Sequence, residues 1–166
     1  MKQVEINKTI KLSEHFSLGE VTKSRHEGIY NIPSHAAIDN LKRVCSWLEE
    51  LRYTYNSLYY LKPGEDYETS KNVEPIVINS GYRSPELNKK VGGSATSNHL
   101  TGCAVDIRVA GIEQALRYAV ILMDYADETR QDYDELLIER NRSGRYWVHF
   151  AVRPKDNRRK TSFIMA

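Results

Sequence analysis

At 166 residues the chain has the size of one compact domain, long enough to bury a core and too short to hold two comfortably. Hydrophobic residues make up 40% and charged residues 28%, and no apolar run approaches the roughly 20 residues needed to cross a bilayer, which excludes a membrane span. The 24 Lys and Arg against 22 Asp and Glu leave +2, a field too weak to name a partner, and no nucleic-acid grip is read from it.

The opening MKQVEINKTIKLSEHF carries lysine but no apolar core or small-residue cleavage site, so it names no export route. Synthesis in the cytoplasm with action elsewhere is the expectation. Residues 1–33 are read as an N-terminal extension packed on a single domain spanning 1–166. After Pro33, Ser34 is a helix N-cap, and Ile38, Leu41, Cys45, Leu48 and Leu51 follow at helical spacing. Cys45 and Cys103 form no CxxC pair and are read as core thiols.

The polar segment LKPGEDYETSKNVE is a mobile surface loop, serving as a lid or a connection. PIVINSGYRS reads as a short strand, and SPELNKKVGG as a short helix with proline early and glycine late. CAVDIRVA alternates, placing Ala104, Asp106 and Arg108 on one strand face. A second long helix carries the stripe Ile112, Ala115, Leu116, Ala119, Leu122, Met123 and Ala126. ELLIE and YWVHFAV, joined by RNRSGR, make an antiparallel hairpin that brings Glu139 near His149. The basic stretch RPKDNRRK begins a solvated C-terminal tail, 154–166. This order of elements predicts an α+β domain whose mostly antiparallel sheet is flanked by helices.

The most specific stretch is SNHLTGCAVDI, in which Ser97, His99, Gly102, Ala104 and Asp106 stand as S-x-H-x-x-G-x-A-x-D. A turn at Gly102 leading into the Asp106 strand lets an imidazole and a carboxylate converge, one nitrogen and one oxygen ligand of the kind zinc accepts. His149, a polar residue centred in an apolar strand, is either a satisfied core group or a third ligand. Three protein ligands leave a fourth position for water, the arrangement of a catalytic site. His15, His26 and His35 lie outside any ligand spacing and are read as surface or capping residues.

In these blocks the sequence resembles the zinc D-alanyl-D-alanine carboxypeptidases and related peptidoglycan peptidases, phage endolysins included, which share a fold with the hedgehog signalling domain. The likeness runs in order through LSEHFSLGEVTKS and NIP, the helix ending LEELR, SGYRSPELNKKVGG, SNHLTGCAVDI and YWVHF. It implies one zinc ion per chain held by His99, Asp106 and His149. It gives Arg83 the substrate carboxylate or the developing oxyanion, a task suited to a permanently charged two-pronged donor. Ser97 and Trp147 are expected to support and wall the substrate cleft, with Tyr146 beside them.

Many members place an acid three residues before the last histidine, where this chain has Tyr146. Other relatives carry a glutamate at the end of the penultimate strand. By that resemblance Glu139, on the hairpin partner of the His149 strand, is the candidate general base, with Asp134 and Glu135 as weaker alternatives. The function implied is hydrolysis of peptide bonds involving D-amino acids in peptidoglycan stem peptides, by a monomer of phage or bacterial origin acting at the cell wall. Two other readings stand beside it: a zinc-keeping, non-catalytic binding module like the hedgehog domain, and a cytoplasmic peptidase of free D,D-dipeptides.

Overall fold

The structure, a computed structural model, describes residues 9–165, so the first eight residues of the expected extension and the last of the expected tail lie outside it. A short helix α1 (Leu18–Thr22) opens with a capping box in which Ser17 and Glu20 satisfy each other's backbone donors. Helix α2 (His35–Tyr59) starts at the Ser34 cap, as the sequence predicts. It buries Leu41, Cys45, Leu48 and Leu51 completely. Burial pushes the Cys45 thiol up to about 12, which fits an inert core cysteine.

The chain continues through β1 (Ile78–Ser80), α3 (Pro85–Lys90), a single 3₁₀ turn (Asn98–Thr101), β2 (Ala104–Arg108), α4 (Ile112–Thr129), β3 (Glu135–Arg140), β4 (Tyr146–Ala151) and β5 (Lys160–Met165). The sheet order is β1-β2-β4-β3-β5, antiparallel except for the β3–β5 pair. The fold is thus α+β with a mostly antiparallel sheet. Among the described residues no helix is long and apolar enough to cross a membrane.

Strand alternation divides the sheet into two chemically different faces. Val105, Ile107, Leu136, Ile138, Val148 and Phe150 are buried in one core with residues of α2 and α4. Trp47 of α2 meets Phe150 with ring centroids 5.5 Å apart. Each such side chain contributes roughly 1.5–3 kcal/mol by leaving water, so this face fixes the sheet rigidly. The intervening residues Asp106, Glu135, Glu139 and His149 therefore project on the other face.

Two sequence expectations are corrected. Leu116 is 45% exposed, whereas Tyr118 is buried; the buried stripe of α4 centres on Ala115, Ala119, Leu122 and Ala126, and Leu116 lies about 100° around the helix from Ala115. The expected tail keeps its exposure but is ordered as β5, an edge strand in parallel register with β3. Its basic run is held by acids: Arg153 and Arg158 pair with Asp134, and Arg159 with Asp127 and Asp132. The polar segment after α2 is tied down at its far end, where the Asn56 side chain exchanges hydrogen bonds with the Glu74 backbone.

Candidate metal centre

Local backbone chemistry delivers each polar side chain. Ser97 caps the 3₁₀ turn, its hydroxyl accepting from the His99 N–H at 3.3 Å. The turn ends at Gly102, whose φ of +72° suits glycine, and a Cβ there would stand 2.5 Å from the Ala37 carbonyl oxygen. The chain can then enter β2 at once and present Asp106 four residues later. In the sheet Asp106 lies directly opposite His149.

His99, Asp106 and His149 converge, with one ligand atom from each within 4.8 Å of the others. His99 Nε2 lies 3.3 Å and His149 Nδ1 2.9 Å from the same Asp106 oxygen, Oδ1. The other nitrogen of each imidazole is braced. His99 Nδ1 donates to the Gly81 carbonyl at 2.6 Å, and His149 Nε2 donates to Glu135 Oε2 at 3.2 Å. Such outer partners orient metal-binding imidazoles, so both the donor set and its bracing fit zinc. Gly81 also permits a close approach, since a Cβ there would lie 2.3 Å from the Val21 carbonyl oxygen.

The electrostatics express the same convergence. Burial would raise the Asp106 carboxyl, but the His99 charge and the His149 hydrogen bond hold it well below the usual carboxylate range. Burial would lower His149, yet hydrogen bonds to Asp106 and Glu135 lift it to about 9. The His149 bond holds Glu135 down at about 2 against its burial.

Arg83 donates from Nη2 to Asp106 Oδ2 at 2.8 Å and from Nε to Ser80 Oγ at 2.9 Å. Arg83 and Tyr146 also line a groove of about 740 Å³. Trp147 lies opposite Arg108 in β2 and Glu139 in β3, on the same face as His149.

The three carboxylates offered as bases have different surroundings. Asp134 is fully buried, paired with Arg153 and Arg158, and accepts from Asn98 at 2.7 Å. Glu135 is engaged with His149, Arg158 and Asn98. Glu139 is half-buried and makes no hydrogen bond or ion pair among the described residues, neither with Arg140 nor with Arg142. Burial raises it above the ordinary glutamate value, opposed by His149 and supported by the charges of Asp106 and Glu135.

Glu135 and Asn98 were not recognised from sequence as braces of the cluster. For Glu135 the signal is the alternation of β3, which puts Glu135, Leu137 and Glu139 on one face; Asn98 has none. Only the strand register reveals that Leu137 opposes His149, leaving a glutamate diagonally on either side.

This face carries three side chains that could hold a metal ion, with ionisable groups nearby. Residues 65–135 match the family model described as Peptidase M15, a segment that contains Arg83, His99 and Asp106 and stops short of His149. A comparison with curated proteins finds no match. The family match and the cluster together support a zinc peptidase in general.

Proposed function

We propose that the protein is a zinc-dependent peptidase that hydrolyses bonds involving D-amino acids in bacterial peptidoglycan, as a D-alanyl-D-alanine carboxypeptidase or an endolysin-type endopeptidase. The observation that carries the reading is the braced His99, Asp106 and His149 cluster with the unpartnered Glu139 on the same sheet face. Zinc bound there would act as a Lewis acid toward the scissile carbonyl and would acidify a water.

Within that reading, Glu139 takes a proton from the attacking water and returns it to the leaving amine. Its raised proton affinity suits both transfers, whereas Asp134 and Glu135, each lowered to about 2 by their partners, are poor acceptors near neutrality. Arg83 is anchored through Nε and Nη2, which leaves Nη1 to hold a substrate carboxylate or the developing oxyanion. Trp147 walls the site beside His149, and Ser97 keeps the His99 turn in place.

A non-catalytic zinc module has no use for an unpaired, half-buried carboxylate at this position, so Glu139 favours hydrolysis. The test is digestion of purified peptidoglycan sacculi beside soluble D,D-dipeptides, with products read by mass spectrometry. Cleavage of sacculi that stops with chelator and returns with zinc is expected. Cleavage of dipeptides alone would point to the cytoplasmic alternative, and cleavage of neither by zinc-loaded protein would leave the binding module.

A further inference from the structure

A groove of about 740 Å³ is lined by Arg83, whose guanidinium also bonds Asp106 of the cluster. Five cations line it, Lys23, Arg25, Arg83, Arg108 and Arg145, and no acidic side chain does. Of these only Arg83 has an ion-pair partner among the described residues, namely Asp106. Unpaired exposed arginines are ordinary one at a time, because water solvates them. Gathered in one concavity they repel one another and raise the local concentration of anions.

Two of these cations are tied to the cluster through the backbone. Arg108 is two residues beyond Asp106 on the same face of β2, and Arg145 immediately precedes β4, the strand of His149. Their anchor points are set by the sheet, unlike those of Lys23 and Arg25 in the segment after α1. Aliphatic residues, Ile78, Leu87, Val91 and Val109 among them, contribute an apolar part to the lining. That mixture fits a short peptide with small apolar side chains and carboxylates better than a purely phosphate-bearing polymer.

We propose that this groove is a second recognition subsite, in which Arg108 and Arg145 bind a carboxylate of an acidic peptide substrate remote from the scissile bond. The inference rests on the peptidase reading and narrows its substrate to peptides bearing a free carboxylate besides any held by Arg83. Arginine presents paired donors matched to a carboxylate, so loss of that contact is expected to weaken binding roughly tenfold.

The experiment uses two synthetic stem-like peptides that differ only in one side-chain group, carboxylate or carboxamide. Binding is measured calorimetrically with zinc-loaded Glu139→Gln protein, and turnover with the wild type. The free-carboxylate peptide is expected to bind about tenfold more tightly and to show a correspondingly lower KM at similar kcat. The preference is expected to shrink with added salt and to vanish in the Arg108→Gln/Arg145→Gln double variant, whose circular dichroism reports an intact fold.

Hydrolysis of both peptides with equal KM would overturn the subsite while leaving the peptidase reading in place. Arginine-dependent preference without any hydrolysis by the wild type would support the subsite and remove the peptidase reading. Preference that survives in the double variant, or inorganic phosphate that competes as strongly as the free-carboxylate peptide, would overturn the subsite.

Discussion

Replacing Glu135 by alanine removes the oxygen that receives the His149 Nε2 proton at 3.2 Å and leaves the imidazole held only through Nδ1. The loss is local. Arg158 retains bonds of 2.7 and 2.9 Å to Asp134, Asn98 keeps its 2.7 Å bond to Asp134, and His99 remains braced on Gly81. The ion pair surrendered with the half-exposed Arg158 is worth at most about 1 kcal/mol, so the fold survives. Zinc affinity bears the cost, because losing an outer partner of a ligating histidine typically weakens metal binding about 10–100-fold, or roughly 1.4–2.7 kcal/mol. Glu135→Gln keeps an acceptor oxygen and is expected to recover most of that loss. Competition against a chromophoric chelator at fixed pH measures the affinities, with circular dichroism as the control for folding. A folded Glu135→Ala protein that binds zinc like the wild type would refute the bracing role.

Three further expectations follow from other parts of the molecule. Glu139→Gln should retain zinc and lower kcat about 10²–10⁴-fold, as read by peptide hydrolysis beside metal analysis; unchanged turnover would reject Glu139 as the base. Gly102→Ala forces a Cβ toward the Ala37 carbonyl oxygen at a φ of +72° and should cost at least about 2 kcal/mol by urea denaturation, since backbone strain adds to the clash. Asp134 is held at about 2, below its ordinary 3.8, because hydrogen bonds from Arg158 and Asn98 outweigh its burial. A depressed folded pKa gives stability that is present above about 3.8 and is lost as pH falls through about 2. Roughly 2 kcal/mol should disappear over that window. Asp134→Asn should flatten this acid limb in urea titrations, and an unchanged limb would contradict the assignment.

Much of this was legible in the sequence because it rests on strong periodicity or a dense motif. The α2 stripe, the β3–β4 hairpin and the turn from His99 to Asp106 are local patterns whose geometry follows from nearby residues. β5 escaped notice because it begins Lys160-Thr161-Ser162 after a charged run and has no alternation to mark it. It is held by parallel pairing to β3 and by ion pairs of the preceding arginines, contacts made across long separations in the chain. The stripe read from hydrophobicity alone has uncertain edges and takes in Leu116, whereas packing beside Tyr55 of α2 selects Tyr118. Glu139 was expected near His149, and the register puts it diagonally beside that residue. The contact at hydrogen-bond distance belongs to Glu135, on the other diagonal.

The central claim is that this chain holds a zinc ion through His99, Asp106 and His149. Plasma mass spectrometry of purified wild type and His99→Ala protein, after zinc loading and removal of excess metal, tests it most directly. About one zinc per wild-type chain, lost in the folded variant, is the predicted result. A wild type that stays metal-free after loading, or a variant that keeps its full complement, would contradict it.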